Sequence, residues 1–127
     1  MRKNSKKRDY KDFLIDISYS IEQIDKFVVG FDFEKFKQDE KTKDAVIMRI
    51  GILGEAVNNL PKKFKKEHKE IPWQKIADMR NKLIHEYFGI DIEVVWQTAK
   101  EDIPELKKKI LELIKELGIS RRTNKLV

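Results

Sequence analysis

A chain of 127 residues, 40% hydrophobic and 39% charged, holds one core and leaves no room for a second domain. It has no Cys, which excludes disulfides, thiolate metal sites and a thiol nucleophile. The formal charge is +6, but five basic residues lie in 1–8 and three in 121–127, with no acidic residue in either stretch, so residues 9–120 hold 20 basic against 22 acidic side chains.

The high pI is therefore weak evidence for nucleic acid, since the tails read as solvated ends that touch phosphate without specificity. The expected organisation is a basic flexible tail over 1–8, a helical domain over 9–118 and a second basic tail over 119–127. No apolar stretch follows the basic start, which predicts no signal peptide, no membrane span and a soluble cytoplasmic protein.

The first predicted helix runs from Asp9 to Val29. Tyr10, Leu14, Ile17, Ile21, Ile24 and Val28 alternate by four and three residues, the seam of a bundle helix. Gly30 is its stop. Residues 31–38 read as a short connection with aromatic anchors, and Asp39 or Thr42 caps the second helix. There Val46, Ile50, Leu53, Val57 and Leu60 repeat the pattern, and Pro61 marks the end. Gly51 and Gly54 lie inside this helix at a cost of about 1 kcal/mol each against Ala, which points to close approach of another helix.

Residues 62–70 read as a solvated charged loop or a short helical turn. Pro72 opens a third helix with Trp73, Ile76, Met79 and Leu83 as its buried stripe, ending near Gly89. Asp91 caps a fourth, with Val94, Val95 and Trp96 as its apolar residues. Pro104 breaks or kinks its path, and Leu106, Ile110, Leu113 and Leu117 continue it to Gly118. With 5 Gly, 3 Pro, no strand alternation and no repeat, the fold class is all-α. The architecture is an antiparallel up-and-down bundle of four long helices, the last broken near Pro104.

Of the two histidines, His68 falls in the charged stretch and reads as a surface residue. His85 stands between Arg80 and Tyr87 in the pattern Arg-Asn-x-x-x-His-x-Tyr. Histidine exchanges a proton near neutral pH, arginine grips phosphate through a planar fork, tyrosine offers a hydroxyl and a ring, and Asn81 adds a neutral donor and acceptor. Without Cys, an acidic metal cluster or a Ser beside a His, these groups best serve metal-independent cleavage of RNA. In that reaction the ribose 2′-OH attacks the adjacent phosphorus, so DNA is not a substrate.

Geometry complicates the pairing. Five residues of ideal helix separate Arg80 from His85 by about 140° around the axis and about 7.5 Å along it. The helix ends before His85, or long side chains converge, or a second subunit completes the site, and a symmetric dimer is favoured among these. Spacing alone also allows a bland arrangement, with His85 on the last helix carbonyls, Tyr87 in the core and Arg80 paired at the surface.

At these residues the chain resembles the HepT-like branch of the HEPN (higher eukaryote and prokaryote nucleotide-binding) superfamily. The resemblance covers roughly residues 9 to 115. It includes IGILGEAVNNLP (50–61), IPWQKIADMRNKLIHEYFGID (71–91) and VVWQTAKEDIPELK (94–107), and the second block carries the family signature intact at Arg80, His85 and Tyr87.

The resemblance implies an all-helical homodimer with the motif in an interface cleft, or a larger heteromeric complex with its antitoxin. It implies the toxin of a type II-like toxin–antitoxin module, an endoribonuclease that cuts tRNA or mRNA without metal or other cofactor. Arg80 and His85 would be catalytic, with Asn81 shaping the site. Glu55, on the second helix, would hold Arg80, unless it is an ordinary exposed Glu. The partner would be a minimal nucleotidyltransferase antitoxin that transfers AMP from ATP to Tyr87 and so silences the toxin. The competing expectation is a non-enzymatic helical adaptor or nucleotide-binding partner of that nucleotidyltransferase.

Overall fold

The computed structural model describes residues 8–85 and 89–120, with the side chains of Ile84 and His85 outside that description. Among the described residues the fold is all-helical. The elements are α1 (Tyr10–Val28), α2 (Phe33–Gln38), α3 (Glu40–Asn59), α4 (Lys62–Glu67), α5 (Trp73–His85), α6 (Ile92–Gln97), a π-helical turn (Thr98–Asp102) and α7 (Ile103–Leu117). None of these helices is long and apolar enough to cross a membrane.

Local chemistry sets the ends. The Asp9 carboxylate accepts from the Lys11 and Asp12 amides, and the Asp12 carboxylate accepts in turn from the Asp9 amide, so three backbone donors at the start of α1 are satisfied in a capping box. Gly30 follows at φ +78, and Gly118 closes α7 at φ +67, both in the left-handed region that favours glycine. Of the two candidate caps for α3, Asp39 is the one used. Its carboxylate accepts the Thr42 amide at 3.0 Å, and this bond holds the Asp39 carboxyl below its ordinary range.

The four long helices are α1, α3, α5 and the α6–α7 path, and they alternate in direction. Tyr10 at the start of α1 stacks on Phe64 just past the end of α3, with centroids 4.8 Å apart. Phe64 also faces Trp73 at the start of α5. Asp25 near the end of α1 meets Lys107 near the start of α7 at 2.9 Å. The core is one cluster fed by every long helix: Leu14, Ile17, Ile21 and Ile24 of α1, Val46, Ile50, Leu53 and Val57 of α3, Ile76 of α5, and Leu106, Ile110 and Leu113 of α7. Each apolar side chain placed there contributes about 1.5–3 kcal/mol before entropy is counted.

Three details refine the sequence reading. Residues 33–38 are a helix rather than a plain connection. Asp32 caps it through the Lys35 amide, and Phe36 is fully buried against Trp96 at 5.1 Å. The interruption near Pro104 takes the form of the π turn, in which the Ile103 amide reaches back five residues to the Thr98 carbonyl. Pro104 cannot donate and crowds the preceding turn, and a widened turn just before it lets the chain stay helical. Finally, Pro72 lies one residue before α5 rather than in its first turn.

Candidate active site at the α3–α5 seam

α5 carries Arg80 and Asn81, and its helical path continues through His85. The option of a helix ending before His85 is therefore closed. The backbone holds Arg80 and His85 on different sides of one helix, as the spacing anticipates. The His85 side chain and all of Tyr87 lie outside the described residues.

Arg80 is held where α5 crosses α3. A Cβ built on Gly54 would collide with the Arg80 Cβ and lie 2.6 Å from its Cγ. The stem of Arg80 therefore occupies the space a side chain at position 54 would fill. The helical penalty of Gly54 is offset by this approach, as expected. At Gly51 the expectation fails, because no atom lies within 4 Å of a Cβ built there.

Beyond that seat the guanidinium Nη2 pairs with Glu55 Oε1 at 2.7 Å, and Nη1 donates to Asn81 Oδ1 at 3.3 Å. Asn59, four residues after Glu55 on the same face, donates to the other Glu55 oxygen at 3.5 Å. Sequence reasoning missed Asn59, although the i, i+4 spacing from Glu55 was a readable signal. The Glu55 side chain is 55% exposed, so this pair adds at most about 1 kcal/mol of stability. Its main effect is to fix where the Arg80 head points. Two bonds use only part of the guanidinium's fork of donors, and the remainder can serve a phosphate.

Arg80, Glu55 and Asn59 border an open groove of about 570 Å³, whose lining also includes Phe13, Met48 and Ile52. Met48 is 64% exposed and Ile52 39%, so an apolar strip runs along the outer face of α3 beside the arginine. His68 lies elsewhere, stacked on Phe64 at 4.5 Å and 3.7 Å from Glu70, and takes no part in this site. Among the described residues no three His, Asp or Glu side chains gather in a way that could hold a metal ion.

The seam thus brings together Arg80, Asn81 and Glu55 as a fixed cation with its holders, with Arg80 and Glu55 on the groove itself. Comparison with known proteins gives this arrangement a family. The HepT-like ribonuclease profile matches residues 17–113. The chain is 52% identical over 109 residues to a protein of Thermococcus cleftensis named as a probable ribonuclease HepT, covering 86% of this chain and 99% of the relative. It is 44% identical over 111 residues to a candidate RNase of Methanocaldococcus jannaschii, covering 87% and 96% of the two chains. It is 45% identical over 89 residues to a candidate RNase of Caldanaerobacter subterraneus, covering 70% and 80%. No solved structure matches significantly. On the profile match and these identities, the chain belongs to the HepT-like ribonuclease family.

Proposed function

We propose that this protein is a metal-independent endoribonuclease that acts in the cytoplasm as the toxin of a toxin–antitoxin module. Family membership supports the RNase reading. The observation that carries the mechanism is the seat of Arg80, a cation clamped by Gly54 behind and by Glu55 and Asn81 at its head, at the edge of an open groove and five residues before His85.

In the reaction, His85 or its symmetry copy removes the proton of a ribose 2′-OH, and the 2′ oxygen bonds to the adjacent phosphorus. The phosphorus–5′-oxygen bond breaks, leaving a 2′,3′-cyclic phosphate. The departing 5′ oxygen takes a proton from an acid, a role open to the second histidine of a dimer. Arg80 neutralises the charge that develops on the phosphorane oxygens. The exposed Met48–Ile52 strip beside the groove suits a homodimer that would place two motifs around one cleft.

The antitoxin in this reading is a minimal nucleotidyltransferase that transfers AMP from ATP to the Tyr87 hydroxyl and releases pyrophosphate. The added phosphate and nucleotide would put negative charge and bulk beside Arg80, where the RNA backbone must sit.

The deciding experiment is cleavage of defined tRNA and mRNA by purified protein in the presence of a chelator. Arg80→Ala and His85→Ala are each expected to lower the rate by about 10²–10⁴-fold, with far-UV circular dichroism unchanged. Wild-type protein that cuts neither RNA would remove the nuclease reading. Mass spectrometry after incubation with the partner and ATP tests the switch, and an unmodified Tyr87 under conditions that silence the toxin removes that part.

A further inference from the structure

A second feature of the same seam remains outside the catalytic constellation. Lys62, Lys65 and Lys66 share one face of α4 at i, i+3, i+4 spacing, Lys69 follows in the turn after it, and all four border one open groove of about 530 Å³. The opposite side of α4 is occupied by Phe64, which is buried, and Glu70 turns toward His68. Among the described residues no carboxylate pairs with Lys62, Lys66 or Lys69, whereas Lys37, Lys43, Lys75 and Lys107 each have an acidic partner. The contrast matters because residues 9–120 as a whole hold more acidic than basic side chains. Residues 62–70 hold five lysines against two glutamates, so this stretch is locally basic within an otherwise slightly acidic body.

The groove adjoins the site. Its walls include Asn58, next to Asn59 that holds Glu55, and Ala77, one helical turn before Arg80 and on the same side of α5. Trp73 also borders it, but that ring is only 6% exposed and its indole N–H is taken by the His68 carbonyl at 2.9 Å. The groove thus offers charge without an exposed aromatic platform on which a base could stack.

We propose that the lysines of α4 and of the turn after it are the track for the RNA backbone on its way to Arg80, gripping phosphates of a single strand regardless of base sequence. The proposal rests on the reading of the protein as a ribonuclease. Lysines in a row are point charges suited to a flexible polyanion, and phosphate contacts position a strand without reading it.

The test uses the full chain and a 2′-O-methyl single-stranded RNA, which binds but cannot be cut because the attacking hydroxyl is blocked. Lys65 is left in place, since its ammonium bonds the Val57 carbonyl at 3.2 Å and ties α4 to the end of α3. The Lys62→Gln/Lys66→Gln/Lys69→Gln variant is compared with Lys26→Gln/Lys41→Gln/Lys108→Gln, which removes the same charge from exposed positions elsewhere.

The first variant should bind roughly tenfold more weakly. Its slope of log affinity against log salt should be shallower by about 2, from a loss of about 0.7 per phosphate contact on a single strand. The loss should be equal for unrelated sequences, and Lys→Arg at the same three positions should restore it. Equal affinity and equal slope in the two Gln variants would overturn the proposal even if wild-type protein cleaves RNA. So would an unchanged RNA affinity with a weakened hold on an acidic protein partner. Salt-dependent binding that needs these lysines, without any cleavage of natural RNA, would keep the track and remove the ribonuclease reading instead.

Discussion

A cation that must meet a phosphate needs a fixed stem and an unoccupied head. Arg80 has its stem laid over Gly54 and part of its head committed to Glu55 and Asn81. Two glycines of one helix therefore have opposite prospects. Gly54→Ala should force Arg80 off its seat, costing about 1–3 kcal/mol by urea unfolding and most of the cleavage activity. Gly51→Ala meets no atom and should raise stability by up to about 1 kcal/mol. Similar midpoints for the two variants would refute the seat.

Glu55→Ala tests positioning without a packing change. We expect a fall of about tenfold to a hundredfold in kcat/KM, with little change in Tm because the pair is exposed. The Asp39 cap carries a pH signature. The Thr42 amide favours its charged form and lowers its folded pKa, so its contribution is full above the unfolded value of about 3.9 and is lost as pH falls through the folded one. Asp39→Asn should flatten the acid side of the stability–pH curve, and an unaltered curve would deny the cap that role.

At the scale of elements, the short helices tie the long ones together. Phe36 of α2 is fully buried and packs on Trp96 of α6, so Phe36→Ala should cost about 3–5 kcal/mol in urea unfolding. A loss below about 1 kcal/mol would mean that α2 is not part of the core. This helix also shows where the sequence stops being readable. The stripes of α1 and α3 run for many turns, so Leu14 to Val28 and Val46 to Val57 could be placed by periodicity alone. α2 is six residues long and buries only Phe36, too few positions for a period to register. Pro104 announced an interruption but not its form, because whether a proline kinks, ends or widens a helix depends on what packs around the preceding turn. Residue roles followed the same division. The motif was visible as a string, whereas the pairing of Arg80 with Glu55 was only what the resemblance implied, beside an ordinary exposed Glu. The Asn59 bond and the lysine groove depend on how α3, α4 and α5 meet, which no local pattern records.

For the molecule as a whole, the continuity of α5 through His85 leaves two ways to bring the motif together: converging side chains within one chain, or two chains sharing a cleft. Mixing inactive subunits separates them. If each site takes Arg80 from one chain and His85 from its partner, a mixture of Arg80→Ala and His85→Ala proteins contains heterodimers with one intact site, and activity returns. If each site is internal to a chain, every heterodimer is dead. The shared cleft also requires the exposed strip on α3 to be covered. Met48→Asp should therefore shift the protein to monomer by light scattering, with loss of cleavage and retention of helicity. A monomeric wild-type protein that cleaves RNA would end the dimer proposal.

The contact between Gly54 and Arg80 also binds two positions in inheritance. While a long side chain stands at 80, position 54 has room for hydrogen alone; once 80 becomes small, the vacated seat can accept a methyl or more. A lineage that abandons the arginine is thus released to lose the glycine, whereas one that keeps the arginine is not. Relatives with a larger residue at the place of Gly54 should be those in which Arg80 has already gone, so a silent glycine in another helix would date the retirement of the site.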